Sequence, residues 1–388
     1  MIVIIGAGPI GVAAALEFAT LGHTVHIFDR GLLAQNMRDW GHVRMFSPWK
    51  LNVSERGVAR MKEMGIPLPD METFPTGAYY VLNYLSHLVQ HPNITLHEHS
   101  TVIAVGREGF LKGDGVMSPQ RTLAKFRVLV GKKGDTSFSD TEKVFLAATV
   151  INCAGCHGGT LHNYIGDSGI PALGERLAAA SGFITYGIPD VAKGCFEGKH
   201  TVVVGAGYSA ATTLHALEKV GATVTWVTRS ASTSPYNRIV NDTLPARDEL
   251  AEFGNTLTQR IPWFGGVTVA KVNGADKSVT LSDGRVIENV DSLVAQVGCR
   301  PDLSILSELQ VHYCWATDGP MEIAASLMAA GGGTGGDCLT QKGLGPDVLR
   351  NPEPGLFILG ASSYGRSRNF LIKLGLEQIN DLVGISFP

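Results

Sequence analysis

Along the chain the apolar positions group into short runs broken by glycine, and one grouping occurs twice. Residues 2–5, IVII, predict a buried strand; GAGPIG follows as a tight turn; VAAALEFATL has the small and apolar residues of a helix packed on a sheet. Gly22 ends that helix, and HTVHIF alternates as a second strand closing at Asp29, so residues 2–29 form one strand–helix–strand unit. The grouping returns at Thr201: TVVV, then Gly205-Ala206-Gly207-Tyr208-Ser209-Ala210, then ATTLHALEKV ending at Gly221, then ATVTWVT reaching Arg229. Between the two units the pattern predicts a helix over 75–90 and several strands over 94–151, with GDGVMSPQRT an exposed loop. Short strands are predicted over 267–297, and GLFILG leads as a strand into the helical run RNFLIKLGLEQIND. GGGTGG at 331–336 has the glycine spacing but follows an Ala-rich helical run and precedes none, so it reads as a loop.

Length and charge narrow the class. At 388 residues two or three domains are expected. Lys plus Arg number 32 against 35 Asp plus Glu, with no block of like charge, which argues against nucleic acid or an anionic membrane surface as partner. MIVIIG lacks a basic leader and breaks at glycine, and no apolar run reaches membrane-spanning length, so a cytoplasmic protein without membrane attachment is expected. Six scattered cysteines fit a reducing compartment.

The glycines carry chemistry because each has a separate task. The first makes the turn, the second lets backbone amides approach a pyrophosphate, and the third position needs a small side chain where helix meets strand. Helix N-terminal amides then hold the phosphates. Asp29 lies 18 residues beyond Gly11, where a carboxylate accepts both ribose hydroxyls, so the first unit suits FAD or NAD. The second unit ends in Thr228-Arg229-Ser230, without an acid, and a guanidinium with hydroxyls favours the 2′-phosphate of NADPH. Two nicotinamide sites would leave hydride with no acceptor, so the pairing is FAD in the first cradle and NADPH in the second.

With these residues the chain resembles flavoproteins with two dinucleotide-binding domains, the group containing thioredoxin reductases and flavin-containing monooxygenases. The resemblance implies an α/β fold of two Rossmann-like domains, the FAD domain split by an inserted NAD(P)H domain, with boundaries at 1–186, 187–294 and 295–388. Gly6, Gly8, Pro9, Gly11, Asp29 and Arg30 resemble the FAD fingerprint, and Gly205, Gly207, Tyr208, Ser209, Ala210, Arg229 and Ser230 the NADPH fingerprint. INCAG, with Ala154 and Gly155, resembles the strand end leaving the FAD domain, and QVGCRPD its counterpart on return. EPGLFILGASS resembles the closing FAD motif, although Gly360-Ala361 stands where many members have Gly-Asp; Ser362 or Ser363 is the substitute for the missing carboxylate. Asn369 and Phe370 then lead into a helix which in the family points its N-terminus at the flavin.

The reaction is less constrained. Reduced flavin can serve a disulfide, a quinone-like acceptor or dioxygen. Cys153-Ala154-Gly155-Cys156 has redox spacing but lacks a following helix, and it sits where neither thioredoxin reductases nor other disulfide reductases keep their pair. MRDWGHVRMFSPWKLNV resembles the Gly-Gly-x-Trp region of the monooxygenases, making Trp40, Arg44, Ser47 and Trp49 candidates to enclose the flavin. The monooxygenase fingerprint before the second glycine turn is incomplete, since ITYGIPDV keeps Tyr186 and Gly187 but no histidine. Arg44, Tyr364 and Arg366 are the candidate catalytic residues, with Arg368 nearby. No histidine spacing suggests a metal, and His97 and His99 are expected to face solvent. The leading expectation is NADPH-dependent oxygenation of a soft S or N nucleophile in a small molecule. The alternatives are a thiol or disulfide oxidoreductase using Cys153 and Cys156, or Cys338, and a non-enzymatic nucleotide-sensing flavoprotein. A homodimer is the assembly entertained.

Overall fold

A computed structural model describes residues 1–132, 142–156, 162–239, 242, 244–329, 344–367 and 369–385. The chain divides into two compact units, one formed by Met1–Leu161 with Arg300–Pro388 and the other by His162–Cys299.

In the first unit five parallel strands stand in the order Leu356–Ile358, Thr149–Asn152, Ile2–Ile5, Val25–Phe28, Ile94–His97. Strand side chains alternate, and the two faces are filled separately. Ile2, Ile4 and Ile27 pack with the helix Pro9–Thr20, whereas Val3, Ile5 and Phe28 pack with an antiparallel meander, Thr101–Arg107, Phe126–Gly131 and Lys143–Ala147. Both faces being covered explains why the central strands are apolar throughout. The 75–90 region is helical from Gly77 to Leu88, with a π-turn at Val81–Leu85.

The loop expected at GDGVMSPQRT contains a short helix, Pro119–Leu123, capped by Ser118 Oγ on the Arg121 N–H at 3.2 Å. Its Arg121 is buried against Glu353 at 2.7 Å, and Arg107 meets the same carboxylate at 2.6 Å. Gln310 N–H adds a further bond to Glu353 at 2.9 Å. Burial alone would raise the Glu353 pKa, but Arg121, the Gln310 amide and Arg107 hold it below the usual carboxylate range. His97 does not face solvent as expected: its ring stacks on Phe28 at 4.5 Å and its Nε2 lies 2.9 Å from His26 Nδ1. His99 is exposed.

The second unit repeats the plan. Its parallel strands run Trp263–Gly265, Thr223–Thr228, His200–Val204, Ser292–Ala295, Ile184–Tyr186, and a small antiparallel sheet of Val269–Asn273, Ser278–Leu281 and Val286–Ile287 completes its core. The unit begins at His162, ahead of the boundary at 187 read from the sequence, because Ile184–Tyr186 pairs with Ser292–Ala295 as the edge of this sheet. It also extends past 294, to Cys299. The GGGTGG loop and Cys338 lie outside the described residues.

Candidate functional site

In each unit the glycine turn sits at the carboxyl edge of a parallel sheet, where open α/β sheets take ligands. Gly6 turns at φ +96°, and a Cβ there would lie 2.5 Å from the Cys153 carbonyl oxygen. A Cβ at Gly11 would lie 2.0 Å from the Gly6 oxygen. Those two glycines are demanded by the protein's packing on itself. Gly8 is different: its φ is −75° and nothing lies within 4 Å of where its Cβ would be, so the space above it is open. It precedes the helix Pro9–Thr20, whose first turn carries no side-chain cap, and Pro9 occupies the position whose missing N–H costs nothing. Asp29, at the next strand end, accepts the Ala7 N–H at 2.8 Å on one oxygen and the Gly31 N–H at 2.9 Å on the other. Each oxygen keeps a second lone pair. Arg30 is exposed beside it, and Ala154 and Gly155, on the neighbouring strand end, lie at the same edge with Gly155 open and at φ +70°.

The second turn has the same division of labour. A Cβ at Gly205, φ +122°, would meet the Gln296 oxygen at 2.3 Å, while Gly207 is open and precedes the helix Tyr208–Lys219. Ala210 is fully buried at the third position and Ser209 is exposed. Two residues to which the sequence pattern gives no role at this turn support it: Trp226 Nε1 donates to the Gly205 oxygen at 2.7 Å, and the Tyr236 hydroxyl to the Gly207 oxygen at 3.2 Å. Tyr208 lies beside Tyr236, ring centroids 5.9 Å apart. At the strand tip Thr228 is buried and donates to the Ser230 oxygen at 2.7 Å, leaving Arg229 and Ser230 exposed. Arg229 forms no ion pair with a described residue. Tyr186 is committed inward, donating to Glu175 at 2.7 Å and stacking on His162 at 4.2 Å.

The aromatic segment and the closing turn depart from expectation in part. Trp49 is 1 % exposed and packs against Tyr80 and Tyr84, so it braces the core and offers no ring face to a ligand. Trp40 is half-buried and leans on Gly77, where a Cβ would come within 2.7 Å of the indole. Ser47 Oγ donates to Asn52 at 2.9 Å, which closes its own loop, whereas Arg44 is exposed. In the closing turn Ser362 and Ser363 are buried and donate to the Leu359 and Gly360 oxygens, at 2.9 and 2.7 Å, so neither replaces the missing carboxylate. Gln378 takes the bracing role instead, accepting the Gly360 N–H at 2.8 Å and donating to Ser363 Oγ at 2.8 Å. Ala361 is half-buried, as are Asn369 and Phe370. Arg366 is paired with Asp318 at 2.5 Å. Tyr364 is 4 % exposed and edge-on to Phe370; burial, with Glu377 nearby, pushes its hydroxyl up to about 12, which keeps the phenol protonated at neutral pH. Arg368 lies outside the described residues.

Over residues 1–327 the chain matches the family described as pyridine nucleotide-disulphide oxidoreductase. It belongs to that family. Flavin and nicotinamide nucleotide are the cofactors the family implies, and the chain is accordingly a flavin-dependent oxidoreductase with the FAD/NAD(P)-binding fold. Among solved structures, bacillithiol disulfide reductase of Bacillus cereus superposes with a TM-score of 0.69 at 19 % identity, covering 98 % of this chain and 97 % of that one. S-allyl-L-cysteine S-oxygenase of Allium sativum superposes at 0.52 with 16 % identity, over 97 % and 75 % of the two chains. Both likenesses concern the fold, which thus hosts reductases and an oxygenase alike. A curated relative, kynurenine 3-monooxygenase of Phaeosphaeria nodorum, is 40 % identical over 79 residues, which amount to 19 % of this chain and only 16 % of the relative.

For a pyridine nucleotide-disulphide oxidoreductase the cysteines are the next question. Cys153 is a free thiol, 8 % exposed, and burial drives its pKa far up, which disfavours the thiolate needed for disulfide exchange. Cys156 is also buried, its Sγ 3.2 Å from the Ala361 oxygen and 3.4 Å from that of Gly365. In the oxidoreductase's second unit Cys195 is exposed, and burial raises the Cys299 thiol to about 11. Cys314 is the exception, held below its ordinary value by the Thr317 hydroxyl and the Ala316 amide. Among the described residues no group of acids, histidines and cysteines could hold a metal, and no helix is long and apolar enough to cross a membrane.

Proposed function

We propose that this chain is an NADPH-dependent FAD oxidoreductase that delivers electrons from flavin straight to dioxygen and oxygenates a soft sulfur or nitrogen nucleophile in a small molecule. The residues fit the two nucleotides. Gly6 and Gly11 close the first turn on itself and Gly8 leaves room above it, so backbone amides and the start of the helix Pro9–Thr20 hold the FAD pyrophosphate, and the spare lone pairs of Asp29 take the ribose hydroxyls. Gly205 and Gly207 do the same for NADPH, with Arg229 and Ser230 on the 2′-phosphate. Bound flavin supplies a two-electron acceptor for the nicotinamide hydride and a donor for the final acceptor. Arg44, exposed, offers a positive charge in the segment expected beside the flavin.

The burial of both thiols, Cys153 and Cys156, carries the choice of acceptor. Cys153 extends from the strand Thr149–Asn152 and its carbonyl oxygen faces the first glycine turn, so the residue serves as wall of the cradle with its thiol protonated. The experiment is an oxygen-electrode assay of wild type and of the Cys153→Ala, Cys156→Ser double variant with NADPH and a panel of thioethers and amines. Substrate-stimulated oxygen uptake retained in the variant supports the proposal. Turnover abolished by that change, or by Cys314→Ser, with folded, flavin-loaded protein, would move the assignment to thiol or disulfide chemistry.

A further inference from the structure

The connection that follows the strand Thr223–Thr228 begins with Arg229 and Ser230, both exposed, and seven residues later reaches Tyr236, which is 5 % exposed. A tyrosine in an irregular connection is seldom so enclosed, and several contacts hold this one. Its backbone N–H donates to Asn255 Oδ1 at 3.0 Å and its carbonyl accepts from Asn255 Nδ2 at 2.9 Å, on the helix Pro245–Leu257. Its ring occupies the notch left by Gly254, where a Cβ would lie 2.3 Å from the ring. Two residues on, Arg238 pairs with Asp248 at 2.8 and 2.5 Å. The hydroxyl, finally, reaches the glycine turn and donates to the Gly207 oxygen at 3.2 Å.

We infer that Tyr236 is a specificity-determining positioning residue, which fastens the loop bearing Arg229 and Ser230 to the glycine turn so that both parts grip one NADPH molecule at a fixed spacing. The inference rests on the reading of the second unit as an NADPH site. The 2′-phosphate and the pyrophosphate are joined through one ribose, so an anchor for the pyrophosphate and an anchor for the 2′-phosphate work together only when their separation is held. Loss of the Tyr236 hydroxyl would not collapse the glycine turn, because the Ala210 and Ala211 N–H groups still donate to the Gly207 oxygen, at 2.9 and 3.2 Å. It would remove the loop's hydrogen bond to the glycine turn, while Asn255 and the Gly254 notch still hold the loop to the helix Pro245–Leu257. The loss therefore falls on the 2′-phosphate contact, and the pyrophosphate contact survives.

The test is calorimetric titration of the purified, flavin-loaded protein with adenosine 2′,5′-bisphosphate and with 5′-AMP, alongside KM values for NADPH and NADH. Tyr236→Phe keeps the packed ring and removes one hydrogen bond. It is expected to weaken the bisphosphate about five-fold and 5′-AMP by less than about two-fold. KM for NADPH should rise in step and kcat should stay unchanged. In the Arg229→Ala background the same change should have a smaller effect, less than about two-fold, since most of it acts through that side chain and only Ser230 remains. Asn255→Ala, which loosens the loop from its other side, should reproduce the selective loss. Equal weakening of both nucleotides, or an undiminished effect in the Arg229→Ala background, would overturn the inference. If Arg229→Ala alone left bisphosphate affinity intact, the NADPH assignment would fall and the inference with it, a result distinct from failure of Tyr236 alone.

Discussion

The two outer members of the first glycine turn and its middle member have different physical duties, and a pair of substitutions separates them. At Gly11 an added methyl would sit 2.0 Å from the Gly6 oxygen, a full ångström inside the 3.0 Å that real Cβ atoms keep, and its neighbour there is backbone. Gly11→Ala must therefore shift the turn or the helix Pro9–Thr20, at a cost of about 1–3 kcal/mol or more to the fold itself. Gly8 is already at φ −75° with nothing within 4 Å, so Gly8→Ala strains nothing and should leave the apoprotein as stable or about 0.4–1 kcal/mol more stable. Its methyl instead occupies the open space where a pyrophosphate would approach. Loss of one charge-assisted hydrogen bond, about 1.5–3 kcal/mol, corresponds to roughly a 10- to 100-fold weaker flavin affinity. The assay is thermal unfolding of flavin-free protein together with flavin retained after gel filtration and a titration of added FAD. The reasoning is refuted if Gly8→Ala binds FAD as wild type does, or if it destabilises the apoprotein as much as Gly11→Ala.

Further outcomes follow from other parts of the molecule. Arg229→Ala should raise KM for NADPH roughly 10- to 100-fold and barely change that for NADH, measured by steady-state oxidation of each; equal effects would remove the 2′-phosphate role. Glu353→Ala leaves the buried Arg107 and Arg121 uncompensated and should cost about 3–5 kcal/mol in urea unfolding. Because Glu353 is held below its ordinary pKa when folded, its contribution is complete above the unfolded value near about 4.3 and fades as pH falls through the folded one. Wild-type stability should thus drop in that acid window, and the gap between wild type and Glu353→Gln should narrow there.

The two strand–turn–helix–strand units were legible because their signals are local. A four-residue apolar strand, a glycine turn and an amphipathic or small-residue helix adjoin in sequence, and Asp29 and Arg229 close units whose spacing is fixed by the fold. What escaped depends on partners distant along the chain. The run Ile184–Tyr186 is three residues long, and nothing local says that it pairs with Ser292–Ala295. Arg121 reads as a solvated loop cation until Glu353, 232 residues away, is placed beside it. Trp226 and Tyr236 look like an ordinary strand residue and a loop residue, since an indole N–H or a hydroxyl does not announce its acceptor. Ser362, Ser363 and Trp49 were misplaced for the converse reason: the motif placed them correctly in the chain but did not tell which way each side chain turns.

The central claim is that the first unit keeps a flavin which reductant bound at the second unit reduces. The direct measurement is the visible absorption spectrum of the purified protein, recorded as isolated, after anaerobic NADPH, and after readmission of air. The account predicts a yellow protein whose flavin bands bleach with NADPH and return with oxygen. A colourless protein that takes up no added FAD, or a bound flavin that NADPH leaves untouched, would contradict it.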